Sequence, residues 1–551
     1  MIRRIVEVID GSIFGLINSE GRRESAAPRL AVAFFAFVGV IVPVTSSAAG
    51  DHPRGGTMVV GVSGEPAHLN PGITTAGNLH GITASIFNGL VGLDQKAEPV
   101  PELAEKWQVS TDGKTYTFFL RKGVRWHDGA PFTAADVKFT FEDLLLKFHA
   151  RTRAGLKDNL TEIATPDSHT VVFRFRNSYA PFLRRLDVIE APILPRHIYQ
   201  GKDAFTGAPN QRPVGTGPFR FAEWMRGNHI LLKRNENYFR TGRPYLDRVN
   251  FRFLPSTAAA VVALEAGELD YLSSVDGANL NHLRTAKKIT LTRSAAGSGG
   301  SYCIITLIPN LRMPTLQMIA VRQAINFAID RNFILERVYF SAGQAARGPI
   351  HSELTWFDPA LITMPYDRAK ANRLLDDAGF PLASNGVRFS LRFAYPHAGF
   401  GPLADALKTQ LAQVGIALSL EPGDVNAVTE RVFVKSNFDL GVASLCNGPD
   451  PDVGVKRIYH SSNILPIPFG NGAGYRSPEI DALFDRAVQT MDHAKRLILY
   501  REIQQVLIGE LPYFWLTETE GYRAYRSHIN GLRIWSANTF EGAYIIRPPG
   551  K

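Results

Sequence analysis

Between Pro402 and Leu420 the sequence changes its period in a single step. A helical pattern from Pro402 to Val414 stops at Gly415, and an apolar run from Ile416 to Leu420 begins at the next residue. A helix that hands directly into a strand is half of a crossover connection, and crossovers pair strands in parallel with helices lying on the sheet. Helical spacing also covers Ile319 to Phe333 and Tyr366 to Ala378, the second stopping at Gly379 ahead of Pro381. Two further helices, Pro478 to Met491 and His493 to Ile508, lead into the strand-like Tyr513-Phe514-Trp515-Leu516. This part of the chain reads as an α/β body.

The earlier part is richer in strands. Gly55-Gly56 opens a strand through Gly61 that Gly64-Glu65-Pro66 closes, and residues 115–121 and 170–176 alternate near period two, each a strand with one buried face. Between them Thr133 and Asp136 have the spacing of a capping box, opening a helix that turns Val137, Phe141, Leu144 and Leu145 inward. No repeat of about 20 to 50 residues is visible, which argues against solenoids and propellers.

With 551 residues, 45% of them hydrophobic and 20% charged, the chain can bury a large core and asks for two to four domains or lobes. Two cysteines, Cys303 and Cys446, cannot make a disulfide-dense scaffold, and no C-x-x-C pair offers zinc spacing. The net charge of +10 is dispersed among acidic residues along the whole chain, which argues against nucleic-acid binding.

Residues Leu30 to Val44 form a 15-residue apolar run behind Arg22, Arg23 and Arg29, followed by Thr45-Ser46-Ser47-Ala48-Ala49. The run is shorter than the roughly 20 residues of a spanning helix, and small residues follow it, so it reads as a secretory signal cut after Ala48 or Ala49. An uncleaved anchor is the competing reading. No later stretch reads as a membrane span, and the mature protein is expected in the periplasm.

The motifs of exported hydrolases are missing. There is no H-E-x-x-H, no G-x-x-x-x-G-K-[ST] and no G-x-S-x-G, and the histidines are scattered. A hydrolase built on a spatial pair of carboxylates stays open as an alternative, because spacing cannot reveal such a pair.

Several segments occur in order along nearly the whole mature chain: Gly56 to Pro71 (GTMVVGVSGEPAHLNP), Pro99 to Trp107 (PVPELAEKW), Asp112 to Gly129 (DGKTYTFFLRKGVRWHDG), Phe132 to Phe139, Pro213 to Phe219 (PVGTGPF), Asn235 to Tyr238, Val321 to Asp330, and Asp450-Pro451. Together they resemble the family 5 extracellular solute-binding proteins, the dipeptide- and oligopeptide-binding components of ABC importers. Gly215-Thr216-Gly217-Pro218 and Trp126-His127-Asp128-Gly129 are read as structural turns, because neither a helix nor a following Lys supports a phosphate loop.

The resemblance implies a two-lobed α/β periplasmic binding protein fold of type II, in the large cluster C form, with a hinge and an interlobe cleft. Residues 1–49 would be signal and extension, 50–300 lobe I with an inserted subdomain at about 94–205, 301–515 lobe II, and 516–551 a return to lobe I. It further implies a monomer that binds a small peptide or peptide-like solute without catalysis or cofactor and delivers it to the permease subunits of the importer. A non-peptide solute, such as an opine, nickel chelate, heme or oligosaccharide, is the alternative. In dipeptide-binding members an acid precedes the Asp-Pro pair by three positions; here that place is Asn447, so Asp450 or Asp452 substitutes or the ligand is not an unmodified peptide. Helix capping is the competing role for Asp450. The resemblance also implies a Cys303–Cys446 disulfide, with two buried free thiols as the alternative. Thr75, Asn78, Tyr302, Trp356, Asn471 and Tyr475 are further cleft candidates by position, each weighed against core packing or turn formation, and Arg431 is the nearest basic residue for a carboxylate.

Overall fold

The computed structural model describes residues 52–74, 77–254, 256–293 and 302–546. The signal segment with its cleavage site, Thr75, and the expected crossing at Ser301 lie outside them.

Two large sheets organise the described residues. In the seven-stranded sheet the order is Ile289–Arg293, Tyr522–Arg526, Tyr271–Val275, Thr57–Ser63, Arg248–Leu254, His229–Arg234, Phe219–Met225. Thr57–Ser63 sits centrally and parallel to both neighbours, which is why its sequence is nearly continuous in apolar and small residues. The six-stranded sheet runs Gly343–Ala345, Phe514–Thr519, Cys303–Pro309, Leu440–Cys446, Phe389–Pro396, Ile416–Gly423. The expected parallel pairing holds for Phe389–Pro396 with Ile416–Gly423 and Leu440–Cys446, whereas Cys303–Pro309 is antiparallel to both of its neighbours. The sheet is therefore mixed. All seven residues of Cys303–Pro309 are buried, with Ile304 and Ile308 in one core cluster and Ile305 and Leu307 in another.

Helices fall close to their expected places. His397–Ala412 takes Pro402 inside its first turns and ends before Gly415, whose φ of +79° needs a residue without Cβ strain. The helix read as one element over Ile319 to Phe333 is divided, Ile319–Ala328 and then Arg331–Phe333. Its break lies at Asp330, whose side chain accepts the Phe333 N–H at 3.0 Å and so starts a second cap. In the stretch from Leu516 expected to return to the first half, Thr517–Thr519 instead pair with Cys303–Ile305 and Gly343–Ala345 in the second sheet. The chain rejoins the first sheet only at Tyr522, because the hydrogen-bond ladder holds the strand until Thr519.

A third, four-stranded antiparallel sheet, Ala104–Val109, Thr115–Leu120, Thr170–Phe175 and Leu160–Asp167, is inserted within the first half. Tyr116, Phe118 and Leu120 are its buried face, as the alternation requires. The Thr133 N–H donates to Asp136 Oδ2 at 2.9 Å, completing the acid's half of the capping box. Phe182 is fully buried with its ring 5.0 Å from Phe173 and 4.8 Å from Phe175. Burial of one such ring contributes about 1.5–3 kcal/mol, so Phe182 fixes the short turn Phe182–Arg185 against this sheet.

The two glycine motifs are structural turns. A Cβ on Gly215 would stand 1.9 Å from the Ile86 carbonyl oxygen, so only glycine permits this approach. His127 spans the turn, its Nδ1 accepting the Gly215 N–H at 3.2 Å and its Nε2 lying 3.0 Å from the Gly217 carbonyl.

Candidate functional site

The inserted sheet and the second large sheet meet around the Asp450-Pro451-Asp452 loop. Asp450 caps the helix Pro451–Gly454 by accepting the Asp452 N–H at 3.0 Å. It is fully buried and paired with Arg496 through Nη1 to Oδ2 at 2.5 Å and Nη2 to Oδ1 at 2.7 Å. Capping and the ion pair occupy both of its carboxylate oxygens.

Asp452 points the other way, across to the inserted sheet. The Tyr179 hydroxyl donates to its Oδ2 at 2.6 Å, and Arg185 donates to the same oxygen from Nη2 at 2.9 Å and Nε at 3.2 Å. Phe182, its ring 6.5 Å from that of Tyr179, opens the short turn that ends at Arg185. Burial pushes the Asp452 carboxyl up, but Arg185 and Lys456 outweigh it, and the net effect holds the carboxyl below its ordinary range. Ser178 and Ala180 add hydrogen bonds to the Gln489 and Val488 carbonyls at 2.6 and 3.0 Å.

Beside this bridge is a cavity of about 350 Å³, in the size range of small-ligand sites, lined by Arg151, Arg185, Asp452, Lys456, Arg457 and His460 among others. Arg151 links it to a second buried group. Its Nη1 pairs with Glu190 Oε1 at 3.0 Å, leaving Arg151 Nε and Glu190 Oε2 without partners among the described residues. His149, the cap of the helix Ala150–Leu156, is held at Nδ1 by Thr152, while its Nε2 has no hydrogen-bond partner. His80, on the helix Gly77–Thr83, is 5% exposed, and its ring hydrogen-bonds to the Thr74 backbone. Burial first, then Arg151 and a second histidine or arginine, lowers both imidazoles to about 3, so both are neutral at physiological pH. Asp187, which accepts the Glu190 N–H at 3.0 Å, is pushed up to about 7 by burial and by Glu190.

Buried polar atoms in folded proteins are nearly always satisfied. Three side chains of one neighbourhood, His149, Arg151 and Glu190, each leave an atom unpaired among the described residues. The arrangement can offer hydrogen bonds of both polarities to a small polar molecule. It contains no nucleophile–base pair and, among the described residues, no cluster of side chains with metal-ligand geometry.

The residues singled out from sequence are placed differently. Asn447 is buried; its Oδ1 accepts the His351 N–H at 2.7 Å and its Nδ2 donates to the Pro349 carbonyl at 3.1 Å. An aspartate could not make the second bond, which explains an amide at this position. Tyr302 joins the same corner, its carbonyl accepting the Asn447 N–H at 2.9 Å and its ring 5.5 Å from His351. Cys303 and Cys446 are directly paired across their two strands and joined in a disulfide, with Cα atoms 3.8 Å apart. Trp356 is core, its Nε1 donating to the Pro449 carbonyl at 3.3 Å and the Arg496 guanidinium 4.9 Å from its ring. Asn471 closes its own loop, exchanging hydrogen bonds with Tyr475 backbone at 2.8 and 3.0 Å, and the Tyr475 hydroxyl is bound to Glu510. Arg431 is paired with Glu421 at 2.7 Å, and Asn78 is exposed on the His80 helix. Asn447, Tyr302 and the disulfide therefore form one corner, and Asp450 and Trp356 share Arg496; Arg431 and Asn78 belong to neither group.

Sequence reasoning missed His80, His149, Arg151, Glu190 and Arg457. Lone histidines and arginines in helices carry no motif, and only their loss of solvent distinguishes them.

Residues 98–465 match the family described as bacterial extracellular solute-binding proteins, family 5 Middle. The chain belongs to this family. Among its relatives, Protein XP55 of Streptomyces lividans is 30% identical over 505 residues, 88% of this chain and 89% of the relative. Di/tripeptide-binding protein 1 of Pseudomonas aeruginosa is 28% identical over 86% of this chain and 90% of its own length. The solved structure of the binding protein AgaA of A. tumefaciens R10, in complex with agropinic acid, superposes with a TM-score of 0.77 at 27% identity, covering 90% of this chain and 99% of that one. The two-lobed α/β fold of the family is thus the fold of this protein. No helix among the described residues is long and apolar enough to cross a membrane.

Proposed function

We propose that this protein captures a small peptide or peptide-like nutrient in the chamber beside the Arg185–Asp452 bridge and hands it, unaltered, to the permease of an ABC importer. The observation that carries the reading is a cavity of about 350 Å³ lined by Arg151, Arg185, Asp452 and Arg457, with Arg151 Nε and, on the Glu190 paired with it, Oε2 left unpaired among the described residues. Such atoms cost about 1–3 kcal/mol each when left unsatisfied, so a bound solute that meets them gains affinity. A di/tripeptide-binding relative shares almost the whole chain.

In this reading lobe I comprises the first sheet with the inserted sheet, and lobe II the second sheet. The chain would cross within 294–301 and again at Glu520-Gly521. Asp452 belongs to lobe II and Arg185 with Tyr179 to lobe I, so their bridge would form on closure and open when the lobes separate about the two crossings. The leader ending at Ala48 or Ala49 would export a monomer to the periplasm.

Isothermal titration with a library of di- and tripeptides tests the function, with chromatography of the recovered peptides. Saturable binding with intact peptides is expected; cleavage, or no binding across the library, refutes it. One observation favours a second reading, a carboxylated opine: AgaA holds agropinic acid at 27% identity. Opine binding without peptide binding would establish that reading.

A further inference from the structure

The charges lining the cavity do not balance in space. Three cations are matched: Arg151 with Glu190 at 3.0 Å, Arg185 with Asp452 at 2.9 Å, and Lys456 with Asp485 at 2.7 Å. Arg457 is left over. Among the described residues its side chain makes one hydrogen bond, from Nε to the Gly454 carbonyl at 3.4 Å, and no carboxylate lies within ion-pair distance of it. Asp158, at the exposed rim of the cavity, makes no ion pair either.

The backbone leaves Arg457 little choice of direction. It follows directly on the helix that Asp450 caps, and Asp450 is locked to Arg496; the short helix Lys456–Tyr459 then buries Ile458 and Tyr459 in the core of the second sheet. Arg457 and Lys456 are thereby turned to the cavity side. The electrostatic surroundings agree: burial first, then Arg151, holds the Arg457 guanidinium down at about 10 against the weaker pull of Glu190. A partly buried guanidinium facing other guanidinia is costly unless an anion joins it.

We infer that Arg457 is the counter-charge for an anionic group of the transported solute, and that this protein selects solutes carrying a carboxylate beyond those balanced by their own amine, such as an acidic dipeptide or a carboxylated opine. The inference rests on the chamber being the ligand site. It gives the solute class a physical origin, since an isosteric amide in place of the carboxylate would leave Arg457 unmatched in the cavity.

The test compares Ala-Glu with Ala-Gln by titration calorimetry on the full mature protein and on Arg457→Gln and Arg457→Lys. Wild type should bind Ala-Glu at least tenfold more tightly; R457Q should bring the ratio near one, and R457K should keep most of it. The ligand-free melting midpoint of R457Q should equal or exceed that of wild type, because removing an unmatched cation relieves repulsion. Equal affinities in wild type, or a ratio that survives R457Q, overturns the inference, and so does a clearly lowered ligand-free midpoint, which would show that Arg457 already has its partner. If neither dipeptide binds, the peptide reading fails separately, and the same comparison uses N-(1-carboxyethyl)glutamate against N-(1-carboxyethyl)glutamine; a preference for the former that R457Q abolishes upholds the charge inference, and any other result overturns it.

Discussion

Replacing Asp450 by alanine separates a structural acid from a ligand-binding one. In the folded protein its carboxylate is fully buried, caps the helix Pro451–Gly454 and accepts two hydrogen bonds from Arg496. Arg496 is equally enclosed, with Nε donating to the Ala487 carbonyl at 2.8 Å and Nη2 to the Tyr500 hydroxyl at 2.9 Å. Loss of the cap costs about 1 kcal/mol. Stranding the guanidinium costs about 3–5 kcal/mol, because it cannot reach water without unpacking Trp356 and Tyr500. The sum, about 4–6 kcal/mol, is a large part of a typical folding free energy of about 5–15 kcal/mol. Urea unfolding of the ligand-free protein, followed by circular dichroism, should show that loss in D450A. The double variant Asp450→Leu with Arg496→Met should recover most of it, since the charge and its solvation demand disappear together. A D450A protein within about 1 kcal/mol of wild type but unable to bind solute would refute this account and return Asp450 to the ligand.

The Arg185–Asp452 bridge should behave as a coupled pair: in a double-mutant cycle with Arg185→Gln and Asp452→Asn, solute affinity should show at least about 1.5 kcal/mol of non-additivity, and additive effects would mean that the bridge is absent from the bound state. Non-reducing peptide mapping should recover Cys303 and Cys446 in one linked fragment, and reduction should lower stability by up to about 5 kcal/mol, the chain-entropy value for the 143-residue separation. Asp187 gives a pH signature of known sign. Its folded pKa of about 7 lies above the unfolded 3.8, so the folded state keeps the proton longer, and stability falls as pH rises between these values and then levels off. Asp187→Asn should therefore stabilise the protein at pH 8 but not at pH 4, by roughly 1 kcal/mol or more; an equal effect at both would show that the carboxyl is ionised throughout.

The local elements were legible because their causes are local. The alternation at Thr115–Leu120, the Thr133–Asp136 box and the glycine stops at 379 and 415 each act over a few residues, and each element formed within a few residues of its expected place. The division of the helix after Ala328 was less visible, because a cap at Asp330 competes with a continuous apolar face. Asp450 shows how a motif residue can mislead: the Asp-Pro pair signals the family, while the residue itself is consumed by Arg496, 46 positions away.

What the sequence by itself determined is an α/β chain of this family, with its core faces, caps and turns, because periodicity and steric demands at single residues suffice for those. The tertiary structure alone decided which polar groups remain without partners. Solvation is a property of the assembled surroundings, so His149, Glu190 and Arg457 became distinctive only when segments far apart in the chain came together and removed the water that would otherwise satisfy them.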